Sequence, residues 1–241
     1  MKRIFDIVFS SILLALFSFP LLFMSFLIWL QDFKSPLYLA PRVSKGGGTF
    51  TMVKLRSMIS NADVSGVDST KSDDMRITKV GSIVRKFKLD ELSQLINVWN
   101  GTMSFVGPRP QVQREVNLYT KEEKFILLAR PGITDFSSIV FSDEGDILEG
   151  CKDPDLSYNQ LIRPWKSRLA IFYINNQSIL LDIKLILLTI TNFISRKNTL
   201  HALSNILYNL KAEDNLINIV LRKEELIPTP PPGANSVISC R

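Results

Sequence analysis

Residues 79–110, KVGSIVRKFKLDELSQLINVWNGTMSFVGPRP, combine a basic run, two adjacent carboxylates and a turn that is bounded by prolines. Apolar side chains recur at helical spacing from residue 89 to residue 99, and Gly101 follows as a stop signal, so a helix is predicted there. Asp90 and Glu91 fall at or beside the N-terminus of this helix, where the macrodipole favours an ionised carboxylate. The pattern leaves two interpretations of Asp90 open: a helix cap, or an anionic nucleophile or metal ligand.

The same segment closely resembles the core of the bacterial sugar transferases, the monotopic phosphoglycosyl transferases. Their pattern consists of Leu-Asp-Glu-Leu-x-Gln-Leu-x-Asn-Val, a Gly-x-Met-Ser turn and Val-Gly-Pro-Arg-Pro, and the segment from Leu89 to Pro110 matches each part. The resemblance covers about residues 1–195. It implies transfer of a sugar-1-phosphate from a UDP-sugar to undecaprenyl phosphate, with Mg²⁺ and a phospho-aspartate intermediate. Such a reaction releases UMP and initiates lipid-linked glycan synthesis.

The resemblance implies a role for each carboxylate: Asp90 attacks the sugar-proximal phosphorus, and Glu91 holds Mg²⁺. A pyrophosphate repels an anionic nucleophile, so the site also needs cations. The cations expected to act on phosphate charge are Lys54, Arg56, Arg85 and Arg109. Pro108, Arg130 and Asp182 are further candidates for substrate or phosphate binding. For Asp182, a structural salt bridge to a neighbouring cation is the open alternative.

The segment after the Arg-Pro-Gly-Ile-Thr motif, which begins at Arg130, departs from the family. The family often continues with a Gln-Val-Asn-Gly-Arg type of sequence, whereas residues 137–146 read SSIVFSDEGD. An arginine is lost, and Asp143 and Glu144 are gained. Phosphate contacts of the family are therefore not carried over to this segment.

The composition limits the chemistry that this chain can perform. A formal charge of +6 over 241 residues points to an anionic partner: a membrane surface, a nucleic acid or a phosphorylated substrate. The two cysteines lack CxxC spacing, so neither a disulfide framework nor a zinc site is predicted. The one histidine, His201, lies beyond the motifs, so the catalytic groups are expected to be Asp, Glu or Lys. A nucleic-acid partner is not predicted, because Phe87 is the one aromatic residue within the basic run.

An almost uninterrupted apolar run from Ile7 to Leu30 is long enough to span a bilayer. No small-x-small site follows it, so a cleaved signal peptide is not predicted. Pro20 removes a backbone donor in the middle of the run, and Ser18 is near enough to bond a freed carbonyl. Basic residues flank both ends, which favours a cytoplasmic location for each. Residues 1–34 are therefore predicted to form a re-entrant membrane helix, bent at Pro20, as in the resembled family.

Residues 35–196 are predicted to form the cytoplasmic catalytic domain of an α+β, mostly helical enzyme. Its β-hairpin would join strands at 37–39 and 50–55 through a glycine-rich turn. Lys54 and Arg56 would lie on one side of the second strand, because strand side chains alternate. A polar loop is predicted for 61–74, where Asp73 and Asp74 offer a less favoured metal site.

Helices are predicted over 113–128 and through most of 164–196, the latter interfacial or facing the core. Residues 197–241 are expected to form a tail of one or two amphipathic helices, which would dock on the core, a partner or the membrane. The proline-rich end of the tail is predicted to be disordered. The expected location is the bacterial inner membrane, in contact with its lipid, and a homodimer or downstream glycosyltransferases are possible partners.

Overall fold

The computed structural model describes residues 1–62 and 74–239. Most of the predicted loop at 61–74, including Asp73, lies outside these ranges, as does Cys240. The fold is α+β and mostly helical, as predicted. The α-helices of the described residues are α1 Lys2–Asp32, α2 Lys79–Lys86, α3 Leu89–Leu92, α4 Leu95–Asn100, α5 Gln113–Asn117, α6 Phe136–Val140, α7 Glu144–Ile147, α8 Pro154–Ser157, α9 Arg163–Asn176, α10 Ile179–Asn192, α11 Arg196–Asn209 and α12 Asp214–Leu221. The strands are β1 Leu37–Val43, β2 Thr49–Leu55, β3 Ser104–Val106 and β4 Gly132–Thr134.

The predicted hairpin is present, and its first strand is longer than expected. Strands β1 and β2 are antiparallel, with Leu37 opposite Leu55 and Val43 opposite Thr49. The glycine-rich turn forms a short 3₁₀-helix in which Gly46 and Gly47 have φ angles of +83° and +85°. Such angles are accessible to glycine at no steric cost, which explains the composition of the turn.

A second sheet, which the sequence analysis did not predict, lies within the core. Strands β3 and β4 are parallel, with Ser104 opposite Gly132 and Val106 opposite Thr134. Each has only three residues, too few for an alternating pattern to be recognised. Helices surround this pair, and the core contains the buried residues Leu95, Val98, Phe105, Val106, Phe136, Ile139, Leu169, Tyr173, Leu185 and Leu203.

Helix α1 is long and apolar enough to cross a membrane, by length and composition. It is one continuous helix through Pro20, so the predicted bend does not interrupt it. The Ser18 hydroxyl donates to the Ala15 carbonyl at 2.8 Å. This is not the carbonyl of Leu16, which the missing N–H of Pro20 leaves free. The middle of α1 exposes the apolar residues Ile12, Leu16, Phe19, Leu22 and Phe23.

The first turns of α1 bind the domain through polar contacts, of which those of Asp6 are buried. Lys2 Nζ lies 2.6 Å from Asp182 Oδ2, and Arg3 donates to the Trp99 carbonyl at the end of α4, also at 2.6 Å. The Asp6 carboxylate is buried and accepts from the Ser104 hydroxyl at 2.9 Å and from a backbone amide of β3. The Asp6 carboxylate is tolerated at this buried position in an apolar helix because hydrogen-bond donors of Ser104 and β3 compensate for its lost hydration.

The last turns of α1 contact the same domain at a different place. Met24 and Ile28 are buried with Leu55 and Val84 in a separate small apolar cluster. At the end of the helix, Asp32 forms a bidentate pair with the guanidinium of β2's neighbour Arg56, with N–O distances of 2.6 and 2.9 Å. Both ends of α1 are thus held by the domain, while its middle is exposed.

Two predicted helices are each divided in the structure. The helix expected over 89–99 is split into α3 and α4, because the side chain of Ser93 bonds the β2 carbonyl of Val53 at 3.1 Å and fixes a turn there. The helix expected over 113–128 becomes α5 and a 3₁₀-helix, Glu123–Leu128. Thr120 and Glu123 form a reciprocal capping box, with distances of 3.0 and 3.1 Å, which starts the second segment anew.

The C-terminal tail is part of the core rather than a separate unit. Both predicted amphipathic helices exist, and α11 and α12 bury Leu200, Leu203, Leu207, Leu216 and Val220 in the main core. The described part of the proline-rich end, which was predicted to be disordered, has neither helix nor strand and packs against the rest of the chain. Pro231 and Pro232 are buried, the Thr229 amide donates to Gln160 at 3.0 Å, and Arg168 donates to the Pro230 carbonyl at 3.0 Å. These contacts fix the segment against α9 and the preceding turn.

Candidate active site

A cavity of about 1420 Å³ opens between the hairpin, helices α2 and α3, and the segment from α6 to α7. Ligand pockets are typically about 300–1,000 Å³, so this one has room for a nucleotide-sized molecule. Of the predicted site residues, the cavity is lined by Lys54, Arg56, Arg85, Asp90, Glu91 and Arg109. Residues far apart in the sequence thus meet around one space.

Asp90 reaches this cavity because α3 and α4 are attached to the outer edge of β2. The Asn97 side chain accepts from the Val53 amide at 2.8 Å and donates to the Thr51 carbonyl at 2.7 Å. These bonds satisfy backbone groups that β1 leaves free. The attachment brings Asp90 Oδ2 to 3.7 Å from Lys54 Nζ.

The cap interpretation of Asp90 does not fit the structure. Lys88 is the residue that precedes α3, with a φ angle of +51°, and no side chain caps the helix. Asp90 lies inside the first turn, and its carboxylate faces Lys54. Because α3 has only four residues, its dipole is small, and the ammonium group of Lys54 supplies the positive potential that the sequence analysis attributed to the helix.

The second carboxylate is paired with the arginine of the proline-bounded turn. Arg109 Nη2 donates to Glu91 Oε1 at 3.0 Å. Burial raises the pKa of Glu91, but Arg109 and the nearby lysines outweigh it and hold the pKa below its usual 4.5. Burial, and next the charge of Arg109, lower the pKa of Lys54 below the usual 10.5, although Asp90 and Glu91 act in the other direction. The site therefore places the carboxylates of Asp90 and Glu91 beside two cations, Lys54 and Arg109.

Two glycines hold the turn that carries Arg109 in place. Gly107 donates its amide to the Thr134 carbonyl, and Gly132 donates to the Pro108 carbonyl, each at 3.0 Å. A Cβ atom on Gly107 would lie 2.3 Å from the carbonyl oxygen of Arg130, and one on Gly132 would lie 2.1 Å from the Gly107 nitrogen. Only glycine allows the two backbones to approach so closely, which fixes the start of the turn.

Comparison with known proteins identifies the family of this chain. The model of the bacterial sugar transferase family matches residues 1–196. This chain belongs to the bacterial sugar transferase family. The match ends where α11 begins, so most of α11, all of α12 and the proline-rich end of this chain lie beyond it.

Relatives of this chain include proteins that are named for their reactions. It is 32% identical over 197 residues to the UDP-N-acetylgalactosamine-undecaprenyl-phosphate N-acetylgalactosaminephosphotransferase of Aeromonas hydrophila, covering 80% of this chain and 44% of that protein. It is 32% identical over 202 residues to the UDP-glucose:undecaprenyl-phosphate glucose-1-phosphate transferase of Caulobacter vibrioides, covering 82% and 71%. The exopolysaccharide production protein ExoY of Sinorhizobium fredii is 38% identical over 148 residues, 55% of this chain and 66% of that protein. The chain thus spans less than two thirds of several relatives that it matches.

Arg56 and Arg85 both line this cavity, but their surroundings differ. The Arg56 guanidinium is bound to Asp32, to the Ser60 hydroxyl at 2.8 Å and to the Ile28 carbonyl at 3.3 Å, so it connects α1 to the hairpin. Arg85 is half-buried on α2 and faces the cavity. Asp74, the alternative metal ligand, instead binds Arg76 with an N–O distance of 2.6 Å.

Three predicted site residues are not brought to the large cavity. Asp182 is buried and bound by Lys2 and by the Tyr173 hydroxyl, each at 2.6 Å, which is the salt bridge that the open alternative expected. Pro108 is buried beside the cavity, where its carbonyl accepts from Gly132. Arg130 contributes its backbone to the close contact with Gly107, and its side chain does not line the cavity. These residues support the site rather than form its surface.

One wall of the cavity was not predicted as part of the site. It is formed by Phe141, Ser142, Glu144, Gly145 and Asp146, with Lys166 of α9. Glu144 forms an ion pair with Lys166, and its charge also helps to raise the pKa of Arg109. The signal in the sequence was the departure from the family pattern at residues 137–146, to which no role had been assigned. We call residues 141–146 the acidic wall.

Proposed function

We propose that this protein transfers a sugar-1-phosphate from a UDP-sugar to undecaprenyl phosphate and so initiates the synthesis of a lipid-linked glycan. The observation that carries the proposal is the meeting of Asp90, Lys54, Glu91 and Arg109 at one large, open cavity. Membership of the family and the names of the Aeromonas and Caulobacter relatives support the reaction class.

Asp90 is the nucleophile in this proposal. One carboxylate oxygen attacks the sugar-proximal phosphorus of the UDP-sugar, a bond from oxygen to phosphorus forms, and the bond to the UMP oxygen breaks. UMP leaves with the electron pair, and the sugar phosphate stays on Asp90. A phosphate oxygen of undecaprenyl phosphate then attacks the same phosphorus and releases the Asp90 carboxylate. The two steps allow a soluble donor and a membrane-bound acceptor to use the site in turn.

The cations make the attack of one anion on another possible. Lys54 is 3.7 Å from Asp90 and is 20% exposed, so it can contact both the nucleophile and a phosphate oxygen. Arg109 is 30% exposed and presents a guanidinium, which suits bidentate binding of phosphate. Arg85 extends the positive surface along α2. The charge of Arg56 mainly serves its ion pair with Asp32, so we assign Arg56 a smaller part in phosphate binding.

The carboxylates also fit a Mg²⁺ ion that arrives with the donor. Mg²⁺ is usually held by one or two carboxylates together with substrate phosphates, rather than by a full cage of protein ligands. Among the described residues there is no group of three side chains that could hold a metal alone, whereas Glu91 and Asp90 are adjacent at the cavity. Glu91 would hold the ion by exchanging its contact with Arg109. When bound, Mg²⁺ supplies neutralisation of the charge on the diphosphate.

We further propose that α1 is re-entrant, with both ends on the cytoplasmic side of the bacterial inner membrane. Lys2 binds Asp182 and Asp32 binds Arg56, so one domain holds the two ends of α1. A hydrocarbon layer of about 30 Å cannot separate ends that share a domain. The exposed apolar middle of the helix would then lie in one leaflet.

The test of the chemistry is the variant Asp90→Asn with Asp214→Asn as its matched control. Asp214 is exposed on α12, far from the cavity residues in sequence. Wild-type protein with Mg²⁺ and a labelled UDP-sugar, but without acceptor, should release about one equivalent of UMP and retain label on the peptide that contains Asp90. Asp90→Asn should be folded and unlabelled, whereas Asp214→Asn should behave like the wild type. Normal turnover by Asp90→Asn, or label on another residue, would refute the mechanism.

The test of topology is cysteine labelling at positions 4 and 34 in intact cells, with Cys151 and Cys240 replaced by serine. Ile4 is 67% exposed, and Lys34 lies just after α1. Neither cysteine should react with an impermeant reagent until the inner membrane is opened. Labelling of one position alone in cells with a permeable outer membrane would show a spanning helix instead.

A further inference from the structure

The helices α11 and α12, almost all of which lie beyond the family match, contact the acidic wall through one cluster of charges behind the cavity. Asp143 Oδ1 lies 3.0 Å from Arg196 Nη2, and Asp143 Oδ2 lies 3.3 Å from Arg222 Nη2. Arg196 is the first residue of α11, and Arg222 directly follows α12. Asp143 belongs to the acidic wall, so both C-terminal helices are joined to this wall by one carboxylate.

The two arginines also hold the residues just before Asp143. Arg196 donates to the Val140 carbonyl at the end of α6, with an N–O distance of 3.1 Å. The Arg222 guanidinium lies over the ring of Phe141, 5.5 Å from its centroid, in a cation–π arrangement. The main chain directly before the wall, and an aromatic ring and a carboxylate of the wall itself, are therefore contacted by Arg196 and Arg222.

The charges of Arg196, Arg222 and Asp143 depend on one another. Burial lowers the pKa of Arg222, and the neighbouring Arg196 lowers it further, whereas Asp143 raises it. Two guanidinium groups can remain close and charged here because a carboxylate lies between them. Loss of either partner would leave a partly buried charge without compensation, which weakens the remaining contact as well.

The acidic wall has little structure of its own to hold its shape. Helix α6 ends at Val140, and α7 has only four residues, so the backbone hydrogen bonds of this segment, such as that from the Glu144 amide to the Phe141 carbonyl, close single turns rather than a long helix. Yet Phe141, Ser142 and Glu144 line the cavity, and Glu144 pairs with Lys166. Contacts from outside the segment must therefore fix its position.

We propose that Arg222, together with Arg196, positions the acidic wall of the donor cavity through Asp143 and so affects the binding of the UDP-sugar. Arg222 is a positioning residue, since it acts through the wall. The C-terminal helices thereby help to shape the site, although almost all of their residues lie outside the segment that the family model matches. That the cavity binds a UDP-sugar rests on the proposed function, whereas the ordering of the wall does not.

Hydrogen–deuterium exchange on the full chain tests the ordering directly. Arg222→Ala should accelerate exchange in peptides from 138–147 by about tenfold, because a charge-assisted contact is lost, and leave peptides from the core helix α9 unchanged. The control is Lys223→Ala, since Lys223 is the exposed neighbour. Arg222→Lys should restore most of the protection, because it keeps the charge and bears the same backbone cost at φ +51°. Deletion of the tail is unsuitable, as it would expose the core.

Kinetics separate positioning from a general loss of stability. With UDP-N-acetylgalactosamine or UDP-glucose as donor, Arg222→Ala should raise the donor KM several-fold and change kcat less than about twofold, with Arg222→Lys near the wild type. Equal exchange at 138–147 in Arg222→Ala and Lys223→Ala would overturn the inference, as would faster exchange spread evenly over the core. If the wild type releases no UMP from either donor, the proposed function fails, and the exchange data still decide whether the wall is ordered by Arg222.

Discussion

Replacement of Asn97 by alanine removes the side chain that joins α4 to the outer edge of β2. Asn97 is 1% exposed, and its amide group bonds both the Val53 amide and the Thr51 carbonyl. The substitution leaves the hairpin and α4 intact as separate elements but breaks the connection between them. Lys54 directly follows Val53 in β2, and Asp90 lies in α3, which leads into α4. The distance between Asp90 and Lys54 therefore depends on the connection that Asn97 makes.

The expected cost follows from which backbone groups lose their partner. The Val53 amide is partly buried, and an unsatisfied buried donor costs about 1–3 kcal/mol. Thr51 is exposed, so water replaces part of the bond to its carbonyl, and the loss there is about 1 kcal/mol. We expect Asn97→Ala to lower the free energy of unfolding by about 2–4 kcal/mol, a large part of the usual total of about 5–15 kcal/mol.

Urea unfolding of the detergent-solubilised protein, followed by tryptophan fluorescence, measures this loss. The control is Asn205→Ala, because Asn205 is exposed on α11 and should change the free energy of unfolding by less than about 0.5 kcal/mol. UMP release under native conditions should also fall by more than about tenfold in Asn97→Ala, since the carboxylate and the lysine lose their alignment. If the two variants unfold within about 1 kcal/mol of each other, Asn97 does not hold α4 on the hairpin and the reasoning is wrong.

Three other changes test the site and its support. Gly107→Ala should reduce UMP release by more than about tenfold, because its Cβ would lie 2.3 Å from the carbonyl oxygen of Arg130; Gly48→Ala, whose nearest neighbour is a side chain at 3.3 Å, should be nearly neutral. The pKa of Lys54 lies below the usual 10.5, so the activity of the wild type should fall at a lower pH than it would if this lysine were exposed. Lys54→Arg should shift the alkaline limb of the kcat/KM profile to higher pH, since arginine stays protonated. Glu123→Gln should lower the free energy of unfolding by about 3–5 kcal/mol in urea titration, because a buried guanidinium 2.6 Å away loses its counter-charge.

The sequence by itself determined the features that depend on short segments. The apolar run of α1, the glycine-rich turn of the hairpin and the family motif from Leu89 to Pro110 all follow from neighbouring residues. Local sterics, periodic burial and motif chemistry act over a few residues, so they can be recognised without the fold. The same information named Asp90, Glu91, Lys54 and Arg109 as candidates, and the structure brings them to one cavity.

Only the tertiary structure decided which of the charged residues meet. Asp182 was a candidate for phosphate, but the chain folds so that Lys2, 180 residues away, neutralises it. The proline-rich end has the composition of a disordered segment, and it is ordered by contacts with α9 that no local pattern encodes. Asp143 gains its role from Arg196 and Arg222, which approach it only after α11 and α12 have docked. The physical reason is that the energy of an ion pair or a buried hydrogen bond depends on distance and burial in space, and the packing of the whole chain sets both.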